Sequence, residues 1–270
     1  MHTCRSTSLG TWATLLACVA LAPWPCAVGQ SKVSGYLDAD ERPDSLLIVP
    51  PPPRAASAAH EADLEVYRAL RTLRNTPRWQ LATADANVTF PQAASTFSCA
   101  LGVVISRAQT PHLYELLQRT LIDAGQSTAR AKDAYARQRP STVYDAPICV
   151  PGDAAALRRS GSYPSGHAAA GWAWALILAE LAPERAGPVL RRGYEFGLSR
   201  AVCGVHWISD VDAGRTVGAA AVARLHAEPA FRADLERARA EIARALRTAP
   251  DDQAASCRAE SAALRATADR

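Results

Sequence analysis

The sequence has no convincing set of alternating apolar and polar residues and no internal repeat, which sets aside sheet sandwiches, barrels and solenoids. It has little net charge. Basic residues number 30 and acidic residues 26, and the resulting +4 is scattered along 270 residues. That is too little, and too dispersed, to imply a nucleic-acid partner. It has no H-E-x-x-H, and His60, His112, His167, His206 and His226 lack ligand spacing. No metal and no other cofactor is therefore expected. A serine-hydrolase elbow is also missing, because G-x-S-x-G would need glycine where Tyr163 stands. Nor is there a multi-span hydropathy pattern. The apolar stretches at 11–22 and His167–Leu181 are both short for a membrane helix.

What is present begins with an export signal. Arg5 precedes the apolar stretch 11–22, and Ala27 and Gly29 supply the small residues of a cut before Gln30. Residues 1–29 are read as a signal peptide, so the mature chain is expected in the periplasm and off the membrane. Export leaves Cys99, Cys149, Cys203 and Cys257 in an oxidising compartment, which suggests two disulfides in one of three pairings. Cys149 and Cys203 flank motifs described below, and that pair is favoured.

Residues 30–60 read as an extended arm, since V-P-P-P-P-R at 49–54 cannot be helical. From there the apolar spacing predicts helices over 61–73, 111–124 (ending at Gly125), 127–137, 167–181, 188–201, 209–226 and 229–247. The stretch 167–181 is apolar nearly all round and marks a central buried helix. The fold class is all-α: a single helical domain over 61–247, with a polar, loosely ordered tail at 248–270.

Three clusters carry chemistry. In K-D-A-Y-A-R-Q-R-P, Lys132 and Arg139 are seven apart, so a helix ended by Pro140 would put both on one face. In G-S-Y-P-S-G-H, Pro164 and Gly166 shape a turn. The N–H groups of Ser165 and Gly166 and the helix starting at His167 would make an anion cradle. In S-R-A-V-C-G-V-H-W-I-S-D-V-D, Ser209 and Asp212 have capping-box spacing, which predicts a helix start near Asp210. His206 would then lie one turn earlier, with Asp210 placed to fix its tautomer. Arg200 adds a two-pronged donor suited to phosphate. Three cations, backbone donors and two histidines describe phosphoryl transfer. His206 would attack phosphorus, and His167 would give a proton to the leaving alcohol.

These motifs, in this order, resemble the phosphatidic-acid phosphatase type 2 / vanadium haloperoxidase superfamily. The match is closer to bacterial class A non-specific acid phosphatases. L-R-N-T, A-T-A-D-A-N, R-R-G-Y-E-F-G and C-G-V-H-W-I-S-D-V-D-A are similar to that family as well. Ala168 stands where the class A pattern usually has threonine. The resemblance spans about residues 46–247. It implies a helical fold, a periplasmic location, metal-free hydrolysis of many small phosphomonoesters, and often a homo-oligomer. It also implies that Lys132, Arg139, Ser165, Gly166 and Arg200 bind phosphate while His206, His167 and Asp210 act on it. An alcohol replacing water would make the same site a phosphotransferase.

Overall fold

The computed structural model describes residues 33–247 and 254–268. The signal segment 1–29, the first residues of the arm and the link 248–253 lie outside the described residues. The architecture is all-α, with no strand among the described residues. Its centre is helix α5, Gly166–Leu181, numbered by its place in the chain. Before it run α1 (Ala58–Arg71), α2 (Pro77–Asp85), α3 (Pro111–Gln126) and α4 (Ala129–Tyr135). After it run α6 (Ala186–Val202), α7 (Ile208–Leu225), α8 (Pro229–Arg247) and α9 (Ala254–Ala268). Helices α3, α6 and α7 pack around α5, which is buried on nearly every side because it is apolar on nearly every side. Trp174 is fully buried there, and its indole N–H donates to the Leu117 carbonyl at 2.8 Å. Gly214 of α7 lies against the Ser165 carbonyl, where a Cβ would come within 2.4 Å. Small residues thus let α7 approach the turn that opens α5.

Local signals explain most helix ends. Ser57 and Thr76 accept N–H groups of the first turns of α1 and α2, and Pro77 occupies the first position of α2. The Asn-Thr-Pro stop after α1 is therefore also a start. Helix α3 runs through Gly125 to Gln126 rather than ending there. Its N-terminus is capped from a distance: Glu241 of α8 accepts the N–H groups of His112 and Leu113 at 3.1 and 3.0 Å.

The arm is not extended throughout. Asp44 caps a one-turn helix, Ser45–Ile48, ahead of the proline run. Ser45 Oγ accepts from Ala131 N at 3.0 Å, and Tyr163 Oη donates to the Pro50 carbonyl at 2.7 Å. The arm therefore lies across α4 and the turn before α5. The tail also differs from its composition-based reading. Residues 254–268 form α9, tied to the body by a Cys99–Cys257 disulfide and by Arg192–Glu260 at 3.4 Å. The favoured pair, Cys149–Cys203, is the other disulfide.

Candidate active site

His206 occupies the loop between α6 and α7, 3% exposed. Helix α7 starts at Ile208, earlier than the Ser209/Asp212 spacing suggests. Asp212 pairs with Arg215 instead of closing a capping box. Asp210 sits in the first turn of α7, and its Oδ2 accepts the Trp207 N–H at 2.8 Å, which binds the carboxylate to the helix start. The same oxygen is 3.3 Å from His206 Nδ1. A carboxylate can only accept, so Nδ1 carries the proton and Nε2 keeps its lone pair. Arg139 Nη1 donates to that lone pair at 3.0 Å.

Lys132 and Arg139 reach this point by a route the seven-residue spacing does not describe. Helix α4 ends at Tyr135, Ala136 turns left-handed at φ 39°, and Arg139 stands in extended backbone. Pro140 opens a new one-turn helix rather than closing the old one. The two cations meet because both donate to the Gly161 carbonyl, Lys132 Nζ at 3.2 Å and Arg139 Nη2 at 3.1 Å. Lys132 also reaches Pro164 O at 2.7 Å, and Arg139 is held by the carbonyls of Leu157, Ser160 and Val205. Backbone oxygens thus aim both side chains.

The turn before α5 supplies donors, shifted by one residue from the expectation. The Ser165 N–H is taken by the Asp210 carbonyl at 2.9 Å, and Ser165 Oγ caps α5 by accepting from Ala168 N. The N–H groups of Gly166 and His167 have no partner among the described residues. They open α5, where the helix dipole favours an anion. His167 is half-buried and stacks on Phe196. Its Nε2–H donates to the Ala86 carbonyl at 3.1 Å, which leaves Nδ1 unengaged. Arg200 of α6 is 3% exposed, and its Nε is buried without a hydrogen-bond partner among the described residues. Ala168 is wholly buried, at the crossing of α5 with Gly197 and Gly214.

The electrostatics ask for an anion. Burial pushes Lys132 down to about 8, with Arg139 adding repulsion. Burial brings Arg139 and Arg200 down to about 10. His167 and His206 are both driven well below the ordinary imidazole value, first by desolvation and then by these cations. A tetrahedral oxyanion would relieve all five groups at once. Among the described residues no three His, Cys, Asp or Glu cluster as metal ligands.

Residues 113–231 match the model of the PAP2 superfamily, a range that holds all eight candidate site residues. A non-specific acid phosphatase of Providencia stuartii is 43% identical over 77% of this chain and 85% of its own length. An acid phosphatase of Zymomonas mobilis is 41% identical over 77% of this chain and 80% of its own. One from Salmonella typhimurium, also a non-specific acid phosphatase, is 44% identical over 68% of this chain and 74% of its own. The chain belongs to the non-specific acid phosphatases of the PAP2 superfamily.

Two further charged residues pack against this pocket. Arg137 lies between Lys132 and Arg139 in the sequence. Its side chain is only 10% exposed, and it donates to Asp210 Oδ1 at 2.6 Å and to Asp63 Oδ2 at 2.7 Å. Asp63 is a buried carboxylate on α1, seven residues before buried Leu70 and so on the same helix face. An acid on the core face was the signal available in the sequence.

A pH effect on stability follows. The folded site favours the neutral form of both imidazoles, whereas in the unfolded chain they protonate near ~6.5. As pH falls through that value the unfolded state binds more protons, so the folded state loses stability. Saturating phosphate lets the folded site take up those protons. Thermal unfolding is therefore expected to show a larger phosphate-induced rise in Tm at pH 5.5 than at pH 7.5. An equal rise at both values would contradict the neutral-histidine state.

Proposed function

We propose that the mature chain is a periplasmic enzyme that hydrolyses phosphate monoesters without a metal, through a phosphohistidine at His206. The observation that carries this reading is the position of His206 Nε2: its lone pair faces Arg139 Nη1 while Nδ1 is held by Asp210. In this reading an arriving phosphoryl oxygen takes over the Arg139 N–H and frees Nε2 to attack in line. Lys132, Arg139 and Arg200, with the N–H groups of Gly166 and His167, neutralise the equatorial oxygens as charge redistributes. Asp210 stabilises the imidazolium that forms when Nε2 is phosphorylated. Ser165 acts through its cap, which fixes the first turn of α5.

His167 supplies the proton that the departing alkoxide needs. Its Nε2–H is spent on Ala86, so the transferred proton sits on Nδ1. Substrate charge raises His167 towards its working range, because the dianion opposes the cations that depress it. The same nitrogen then takes a proton from the water that releases phosphate. An alcohol in place of that water gives a new ester, which is the phosphotransferase side reaction. The export signal at 1–29 and the two disulfides support a periplasmic location.

The test is a panel of aryl, alkyl, sugar and nucleoside phosphates, run between pH 4 and pH 9 with excess chelator. Broad hydrolysis with an acidic, bell-shaped optimum that survives chelation is expected. Activity abolished by chelation and restored by a divalent cation would overturn the metal-free reading.

A further inference from the structure

Behind His206, on the side away from the phosphate cradle, lies a second set of charges. Arg137 is forked between two buried carboxylates. Nη1 lies 2.6 Å from Asp210 Oδ1 and 2.8 Å from Ser209 Oγ, and Nη2 lies 2.7 Å from Asp63 Oδ2. Asp63 is 1% exposed and is itself pinned. It accepts the Ser209 N–H at 2.9 Å and the Ser209 hydroxyl at 2.6 Å. The Arg137 guanidinium also lies over the Trp207 ring, 5.4 Å from its centroid. The side chains of Arg137, Asp63, Ser209 and Asp210 thus bond to one another. Asp63 comes from α1, outside the range of the family match.

We propose that Asp63 and Arg137 form a charged brace that holds Asp210 Oδ2 on the His206 imidazole, making both of them positioning residues for the attacking nitrogen. This rests on His206 being the nucleophile. Asp210 selects the Nδ1–H tautomer only while Oδ2 faces the ring, and Arg137 fixes that orientation by holding Oδ1. The Arg137 charge also lowers the proton affinity of the carboxylate–imidazole pair. The fork matters as well as the charge. Two separate N–H prongs lock the spacing between α1 and the start of α7, which a single ammonium cannot do. Asp63 holds the guanidinium in place and partly offsets its charge as felt at the ring.

The two brace residues should therefore move His206 in opposite directions. The other groups facing that ring are Asp210 and Ser162, the cations Arg139, Lys132 and Arg200, and His167 of α5, which is within electrostatic range. None of them changes in the variants below. Loss of the Arg137 charge leaves Asp210 less compensated and makes the imidazole more basic. Loss of the Asp63 charge leaves Arg137 less offset and makes it less basic. At an effective dielectric near ~20 a unit charge at this remove is felt as a shift of about one pH unit.

The experiment records kcat and KM for p-nitrophenyl phosphate against pH, and titrates the imidazoles of histidine-labelled protein by NMR. It uses the full mature chain and the variants Arg137→Gln, Arg137→Lys and Asp63→Asn. Arg137→Gln should carry the acid limb of kcat/KM and the His206 titration up by about one unit. Asp63→Asn should carry both down. Arg137→Lys should leave the limb near its original pH yet lower kcat, because charge is kept and the fork is lost. All three should lose about 10–100-fold in kcat with KM within about threefold, since the cradle is intact. Limbs that stay put, or that move the same way in Arg137→Gln and Asp63→Asn, would overturn the brace. Should Arg137→Gln fail to fold, the near-isosteric Asp63→Asn decides alone: its downward shift supports the brace and an unmoved limb refutes it. A His206→Ala protein of normal activity would instead refute the nucleophile on which the brace rests.

Discussion

Replacing His206 with alanine should lower kcat for p-nitrophenyl phosphate by at least about 10⁴-fold, or about 5.5 kcal/mol of lost transition-state stabilisation. The size follows from what is removed. In the proposed sequence Nε2 makes the bond to phosphorus, and no other side chain in the cradle combines an unprotonated ring nitrogen with a carboxylate on its far nitrogen. Binding should survive. Lys132, Arg139, Arg200 and the α5 N-terminus remain, and removing a neutral ring takes no positive charge from them. Inorganic phosphate should therefore bind His206→Ala within a few fold of the parent, as read by calorimetry. A variant with near-normal turnover would dismiss His206 as nucleophile. One that loses turnover and phosphate binding together would show that the ring mainly holds the pocket in shape.

The second large effect is selective. His167→Ala should slow hydrolysis of alkyl phosphates by about 10²–10⁴-fold, the range typical of a lost general acid. p-Nitrophenyl phosphate should lose far less in its first step, because nitrophenolate departs without a proton. The structure gives the reason to expect a proton from this residue. Its Nε2–H is fixed on the Ala86 carbonyl, its ring is braced on Phe196, and Nδ1 is left for the substrate. A plot of log kcat/KM against leaving-group pKa should be shallow for the parent enzyme and steep for His167→Ala. Equal losses for aryl and alkyl esters would rule out the acid role and leave His167 as a binding group only.

Much of the site could be read from the chain because its chemistry is local. Ser165 caps the helix that Gly166 opens, His206 stands four residues before Asp210, and the central helix announces itself by lacking a polar face. Where the reading went astray, long-range contacts decided. Lys132 and Arg139 share a target because Gly161 and its neighbours turn their carbonyls inward, 29 and 22 residues away in sequence respectively, and not because they share a helix. Arg137 and Asp63 are separated by 74 residues, and only the packing of α1 against the start of α7 makes them partners. The Ser165 N–H was free on paper, but the Asp210 carbonyl claims it. The tail looked unanchored because the contacts that hold α9 come from Cys99 and Arg192, in parts of the chain that no local pattern connects to it.

The central claim is a covalent bond between phosphorus and one particular nitrogen, and rapid quenching tests it most directly. The mature enzyme is mixed with a fast aryl phosphate, stopped in alkali within milliseconds, digested and mapped by mass spectrometry. The account predicts a phosphoryl group on the peptide containing His206, stable in base, lost in mild acid, and absent from His206→Ala. A phosphoryl group on any other residue, or no phosphoenzyme together with inversion of configuration at phosphorus, would contradict it.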